Sequence, residues 1–138
     1  MELDPQKLQT RVAEIQEKLT QIRAIIKLSD QELFSDPRNL AAIKYNLIVI
    51  LEALGSICAH VCAKKLQKAV SEYADCFDHL REAGLVDKEL GEQLIKMARF
   101  RNRLVHMYWD TDDQLVLQYV RNDLKIVEEF IKVIGKLI

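Results

Sequence analysis

Glycine and proline are scarce in this chain, four and two among 138 residues. That leaves little material for hairpin turns, and no stretch alternates at strand period, which excludes a sheet-based fold. Long apolar runs are missing as well. The longest, such as LIVIL at residues 47–51, fall far below the roughly 20 residues needed to cross a bilayer. The opening MELDPQKLQ is acidic and has no apolar signal core, so no export signal is read and the cytoplasm is the expected location. Charge of one sign is not in excess, since the formal net charge is −1. An electrostatic nucleic-acid binder normally carries a basic surplus, so any such role here must depend on a local patch. Cysteine is limited to Cys58, Cys62 and Cys76, an odd count without CxxC spacing. That pattern reads as reduced thiols, with Cys58 and Cys62 as small core residues rather than metal ligands.

What remains is a chain that is 49% hydrophobic and 30% charged, a balance suited to a soluble helical domain and too apolar for disorder. Residues 1–138 are read as one domain. Asp4-Pro5 and Asp36-Pro37 each combine a capping carboxylate with a proline at the first helical position. After the first, Leu8, Val12, Ile15, Leu19, Ile22 and Ile26 repeat at packing-seam spacing, giving helix one over 5–28. SDQELF reads as a turn. From Leu40 to Val61 the chain is apolar on nearly every face, as expected of a central helix surrounded by others. A shorter amphipathic helix spans 72–83, with Gly84 at the left-handed cap position. Helix four follows Asp87, and a last helix runs from Leu117 to Ile134 after an Asp-rich turn at 110–113. The expectation is an all-α, antiparallel bundle of about five helices.

Helix four ends in FRNRLVHMYWD, residues 100–110. At 100° per residue Arg101 falls inside the apolar stripe, within roughly 60° of Leu90, Leu94, Met97, Ala98, Leu104, Val105 and Tyr108. A guanidinium buried there unpaired would cost several kcal/mol. It must meet a carboxylate, reach out to water, or line a polar cavity. Asn102 and His106 share the flank with Arg99 and Arg103. Two explanations stay open on spacing alone: cations favouring the helix dipole at a C-terminus, or a functional cleft.

The segment resembles the signature of the HEPN superfamily, specifically the HepT-like toxins of two-component toxin–antitoxin systems: Arg, four residues, His, one residue, Tyr. Here these are Arg101, His106 and Tyr108, with Asn102 following the arginine. LREAGLVDKELGEQLIKMARFRNRLVHMYWD resembles the family's loop and active-site helix, and LQYVRNDLKIVEEFIKVI its last helix. The resemblance implies a HEPN-like fold, dimeric with helix four at the interface, and a metal-independent endoribonuclease acting without cofactor in a type II/VII-like toxin–antitoxin system. It also implies a partner, a nucleotidyltransferase antitoxin of the MNT type that transfers AMP to Tyr108. In such a site His106 moves the proton of the attacking 2′-OH or of the leaving oxygen, and Arg101 holds the non-bridging phosphate oxygens. Asn102 orients His106 or binds phosphate.

Arg101 and His106 lie about 140° apart on an ideal helix, so one straight helix does not aim both at one phosphate. Pairing of two helices about a twofold axis solves this, with the apolar stripe as the interface. The rival reading is a catalytically silent bundle that binds a nucleotide or a protein, which need not carry Arg101 and His106 together. A ferritin-like metal bundle is discarded, because neither His60 nor His79 has a Glu three residues earlier. Both histidines are read as structural, and Trp109 and Tyr45 as packing aromatics able to stack on bases.

Overall fold

The computed structural model describes residues 2–107 and 112–138. Among them the secondary structure is helical throughout: α1 Pro5–Ile26, α2 Asp30–Ser35, α3 Pro37–Lys65, α4 Tyr73–Glu82, α5 Lys88–Met107, α6 Asp113–Asn122 and α7 Leu124–Leu137. The Asp-Pro starts behave as their chemistry dictates. Asp4 accepts from the Lys7 amide and Asp36 from the Arg38 amide, which satisfies donors that the first turn leaves orphaned. Gly84 takes φ +76, closing α4 with a Leu85 amide bond to the Leu80 carbonyl.

Two elements differ from the sequence reading. SDQELF is not a bare turn: Ser29 caps the Glu32 amide and bonds the Glu32 carboxylate, a capping box that starts the six-residue α2. The last helix is two helices, broken at Asp123, where Asn122 and Asp123 are residues whose short polar side chains compete with helical bonding. The Asp123 amide still bonds the Tyr119 carbonyl, while the Ile126 amide returns to the Asp123 carbonyl to start α7.

α3 is the hub, packed against α1, α2, α4, α5 and α6. Ile43, Leu47, Ile50 and Ile57 on it are fully buried. By length and composition alone α3 could cross a membrane, with mean hydropathy 1.8 over its best window. In the fold 67% of that window is buried, the condition of a core helix. Phe130 of α7 meets Phe77 of α4 edge-on at 5.7 Å, and Phe100 of α5 stacks on Tyr119 of α6 at 4.3 Å. The second contact ties the end of α5 that carries the motif to α6.

The cysteine expectation is half corrected. Cys58 and Cys62 are indeed buried in the core, but the thiols are not all free: Cys58 of α3 and Cys76 of α4 form a disulfide, their Cα atoms 6.1 Å apart. The pairing joins positions 18 residues apart on different helices, so only the packing of α4 on α3 reveals it.

Candidate functional site

The last turns of α5 carry Arg101, Asn102 and His106, and these three line one open cavity of about 450 Å³. Its opposite wall comes from the start of α4 and the residues before it, Ser71, Glu72 and Tyr73. Asn102 and His106 are exposed, while the Arg101 side chain is 21% exposed. The difference of about 140° between Arg101 and His106 on a straight helix does not separate them here, because the cavity wraps the flank of α5 up to the α4 wall.

The arginine meets the carboxylate its position demanded. Arg101 Nε donates to Glu52 Oε1 at 2.5 Å, and Nη2 forms an ion pair with the same carboxylate. Nη1 donates to Asn102 Oδ1 at 2.9 Å. The guanidinium also lies over the Tyr73 ring, 5.1 Å from its centroid, a cation–π arrangement. Tyr73 Oη in turn donates to Glu52 Oε2 at 3.3 Å. Glu52 thus holds Arg101 and Tyr73 in one half-buried network. Burial, then the charge of Glu52 and its hydrogen bond, push the Tyr73 hydroxyl above its ordinary range, so it remains a proton donor. Each Nη carries a second N–H, so a braced Arg101 still has donors for an anion in the cavity.

Glu52 and Tyr73 were not among the candidate residues. A signal for the first existed: Glu52 is the only acid between Leu40 and Val61, and a lone carboxylate in an apolar hub helix needs a partner as much as a lone arginine in an apolar stripe. Tyr73 gave no signal, since its role depends on Gly55. A Cβ at Gly55 would run into the Tyr73 ring, so the absence of a side chain on α3 is what admits the ring beside Arg101.

The stripe around Arg101 has a different use from the one expected. Leu90, Leu94, Met97, Ala98 and Leu104 are buried in the chain's own core, so these five are not free to serve as a dimer interface, while Val105 of the same stripe is half-buried. From Arg99 onward, the described residues that α5 leaves exposed are Arg99, Asn102, Arg103 and His106. Tyr108, the expected AMP acceptor, and Trp109 lie outside the described residues. His60 is structural, buried and accepting the Asp4 amide on Nε2 at 3.0 Å. Burial, then nearby Lys7 and Lys64, lower its pKa. His79 sits beside Lys68, its Nδ1 3.4 Å from Nζ. Tyr45 is 62% exposed and lines a different, more apolar cavity of about 640 Å³ with Phe34 and Leu40.

A helical bundle in which a braced arginine, an asparagine and a histidine share an open cavity is a protein with a site suited to a phosphate-bearing ligand. Comparison with known proteins narrows that class. The profile of the family described as HepT-like, Ribonuclease HepT-like, matches residues 15–134. A protein of Archaeoglobus fulgidus named "Putative RNase" is 33% identical over 101 residues, 73% of this chain and 76% of its own length. The tri-AMPylated Shewanella oneidensis HEPN toxin in complex with MNT antitoxin superposes with a TM-score of 0.87 at 24% identity, covering 96% of this chain and 99% of that one. A Tyr-to-Ala mutant of the toxin–antitoxin pair MntA–HpeT gives 0.84 at 25% identity, covering 94% and 98%. A cytosolic protein of Bacillus subtilis, YutE, of unknown function, shares the fold at TM-score 0.82 and 16% identity, covering 97% and 90%. This chain belongs to the HepT-like family.

Proposed function

We propose that this chain is the toxin of a toxin–antitoxin pair, a metal-independent endoribonuclease acting in the cytoplasm. The observation that carries the reading is the convergence of Arg101, Asn102 and His106 on one open cavity, with Arg101 braced by Glu52 and Tyr73. Cleaving RNA without a metal requires the 2′-oxygen to attack its own phosphorus while the P–O5′ bond breaks. One proton leaves the 2′-OH and one reaches the departing oxygen. An imidazole can both accept and donate a proton, which suits exposed His106 to one of these transfers. Arg101 stabilises the charge that grows on the non-bridging oxygens, and its bracing removes the reorganisation a free arginine would need. Asn102, bonded to Arg101, extends the donor surface toward the phosphate. A silent binding module would have no use for this pairing of a fixed guanidinium with an exposed imidazole.

The site is completed in a homodimer. Because most of the apolar stripe is spent in the core, the outer flank of α5 is what would approach its copy, bringing two basic surfaces together around an anionic strand. The partner is an MNT-type nucleotidyltransferase antitoxin that transfers AMP to Tyr108. The HEPN toxin of Shewanella oneidensis, tri-AMPylated and bound to an MNT antitoxin, supports this. An adenylate reaching the cavity from Tyr108 would add bulk and negative charge where RNA phosphate must sit.

The test is cleavage of a fluorescent RNA in EDTA by wild type, Arg101→Ala and His106→Ala. Wild type should cut, and each variant should lose at least about 100-fold in rate, the usual worth of an acid–base or charge-stabilising group, with unchanged helical circular dichroism. Variants that cut like wild type would refute the reading. For the antitoxin, incubation with the nucleotidyltransferase and ATP should add adenylate mass to a peptide containing Tyr108, lost in Tyr108→Phe.

A further inference from the structure

Away from the cavity, three sulfurs meet between α3 and α4. Cys58 and Cys62 stand one helical turn apart on α3 and Cys76 faces them from α4, all three 0% exposed. Their Sγ atoms all lie within 4.8 Å of one another. Cys58 and Cys76 are joined. Cys62 is the free thiol, and its Sγ lies 3.1 Å from Cys76 Sγ and 3.5 Å from the Cys76 carbonyl oxygen. Cys76 is therefore in reach of two thiols presented from successive turns of one helix.

We propose that Cys58, Cys62 and Cys76 form a redox-active thiol site, oxidised by small-molecule disulfides of the glutathione type, in which a Cys76 disulfide to α3 pins α4 and so holds the wall of the cavity. Oxidation runs in two exchanges. The Cys76 thiolate attacks one sulfur of the small disulfide, releasing one small thiol and leaving a mixed disulfide. The Cys58 thiolate then attacks Cys76 Sγ and displaces the second small thiol. Two protein thiols have given up two electrons and two protons, and the small disulfide has become two thiols. Cys62 permits a further exchange without net oxidation: its thiolate attacks Cys76 Sγ, the Cys62–Cys76 bond forms as Cys58–Cys76 breaks, and Cys58 leaves as a thiolate that takes up the proton Cys62 lost. Burial pushes the Cys62 thiol up, which keeps it protonated until α4 lifts.

The link to the cavity is one helical turn long. Cys76 follows Tyr73 on α4, and Tyr73 with Ser71 and Glu72 forms the wall facing Arg101. That end of α4 has no side-chain cap, and the chain reaches it through a segment in which Gln67 has φ 52. An uncapped short helix end is where local opening concentrates. The disulfide is the covalent tie that opposes it, and the same opening admits a small disulfide to the reduced thiols.

The thiol site stands independently of the ribonuclease reading; only its effect on cleavage rests on that reading. The full chain is equilibrated in glutathione buffers from reducing to oxidising, quenched with acid, unfolded, alkylated and mapped by mass spectrometry. Three alkylated thiols are expected when reduced and one when oxidised, with Cys76 linked to Cys58. In Cys58→Ser, with Cys58→Ala as a second variant should the first misfold, the link should move to Cys62. Hydrogen exchange of amides in 73–78 should be roughly tenfold or more faster in the reduced chain. Three free thiols at every ratio, or a helical Cys58 variant that forms no Cys62–Cys76 bond, would overturn the exchange site. Equal amide exchange in both states would overturn the pinning of α4. RNA cleavage should fall several-fold on reduction. A chain that cuts no RNA in either state counts against the ribonuclease reading, and the thiol map and amide exchange then decide this one.

Discussion

Gly55→Ala separates local propensity from tertiary packing at the site. Gly55 sits inside α3, so on helix propensity alone alanine should stabilise the chain by about 1 kcal/mol. The structure says otherwise, because the new methyl would occupy the space of the Tyr73 ring. Either the helices part, an overpacking cost of about 1–3 kcal/mol, or Tyr73 swings away. Swinging breaks its hydrogen bond to Glu52 and its stacking under Arg101, together roughly 2 kcal/mol after allowing for partial exposure. The swing exceeds the propensity gain and parting the helices does so over most of its range, so the expected net change is a loss of about 1 kcal/mol, read as the urea midpoint at constant slope. Cleavage should fall as well, since Arg101 loses one of its braces. In the double variant Gly55→Ala with Tyr73→Ala, the alanine at 55 should regain its stabilising sign, because the ring it met is gone. A single Gly55→Ala variant that is more stable than wild type and cuts RNA at the wild-type rate would refute the proposed packing of Tyr73.

Two further expectations concern buried polar groups. His60 is held neutral as acceptor of the Asp4 amide and its pKa is lowered from 6.5. The unfolded chain therefore binds the extra proton first as pH falls through 6.5, so stability should decline below that pH. His60→Gln, which keeps an acceptor for the Asp4 amide, should flatten that part of the urea-midpoint profile; an unchanged slope would refute the assignment. Among the described residues the buried Tyr119 hydroxyl has no hydrogen-bond partner, and burial raises its pKa strongly. Tyr119→Phe keeps the stack on Phe100 and should raise stability by up to about 1 kcal/mol. A clear loss in thermal or urea unfolding would mean that the hydroxyl is satisfied after all.

Much of this molecule follows from one-dimensional pattern. Asp4-Pro5 and Asp36-Pro37 start helices because capping and the fixed φ of proline act within four residues. The all-round apolar character of Leu40–Val61 made α3 the hub because such a helix has no face to give to water. Arg101, Asn102, His106 and Tyr108 stood out because their order along the sequence is itself the motif, and the charge of Arg101 in an apolar stripe announced a missing partner. Where local signals competed, pattern was weaker: the continuous apolar spacing from Leu117 to Ile134 concealed the break at Asp123, and the Ser29–Glu32 capping box inside SDQELF started a helix where a turn was read. The partners of the motif were decided only by tertiary structure. Glu52 reaches Arg101 across 49 residues of chain, Tyr73 enters the site through a gap that exists because residue 55 lacks a Cβ, and Cys76 finds Cys58 and Cys62 only when α4 lies on α3. Whether the apolar stripe of α5 faces a second chain or its own core was also beyond the sequence, since hydrophobic periodicity states that a face must be covered and not by what. The other helices decide that, because burial is scored over all the surfaces the fold brings together, and here α5 finds its cover within the chain.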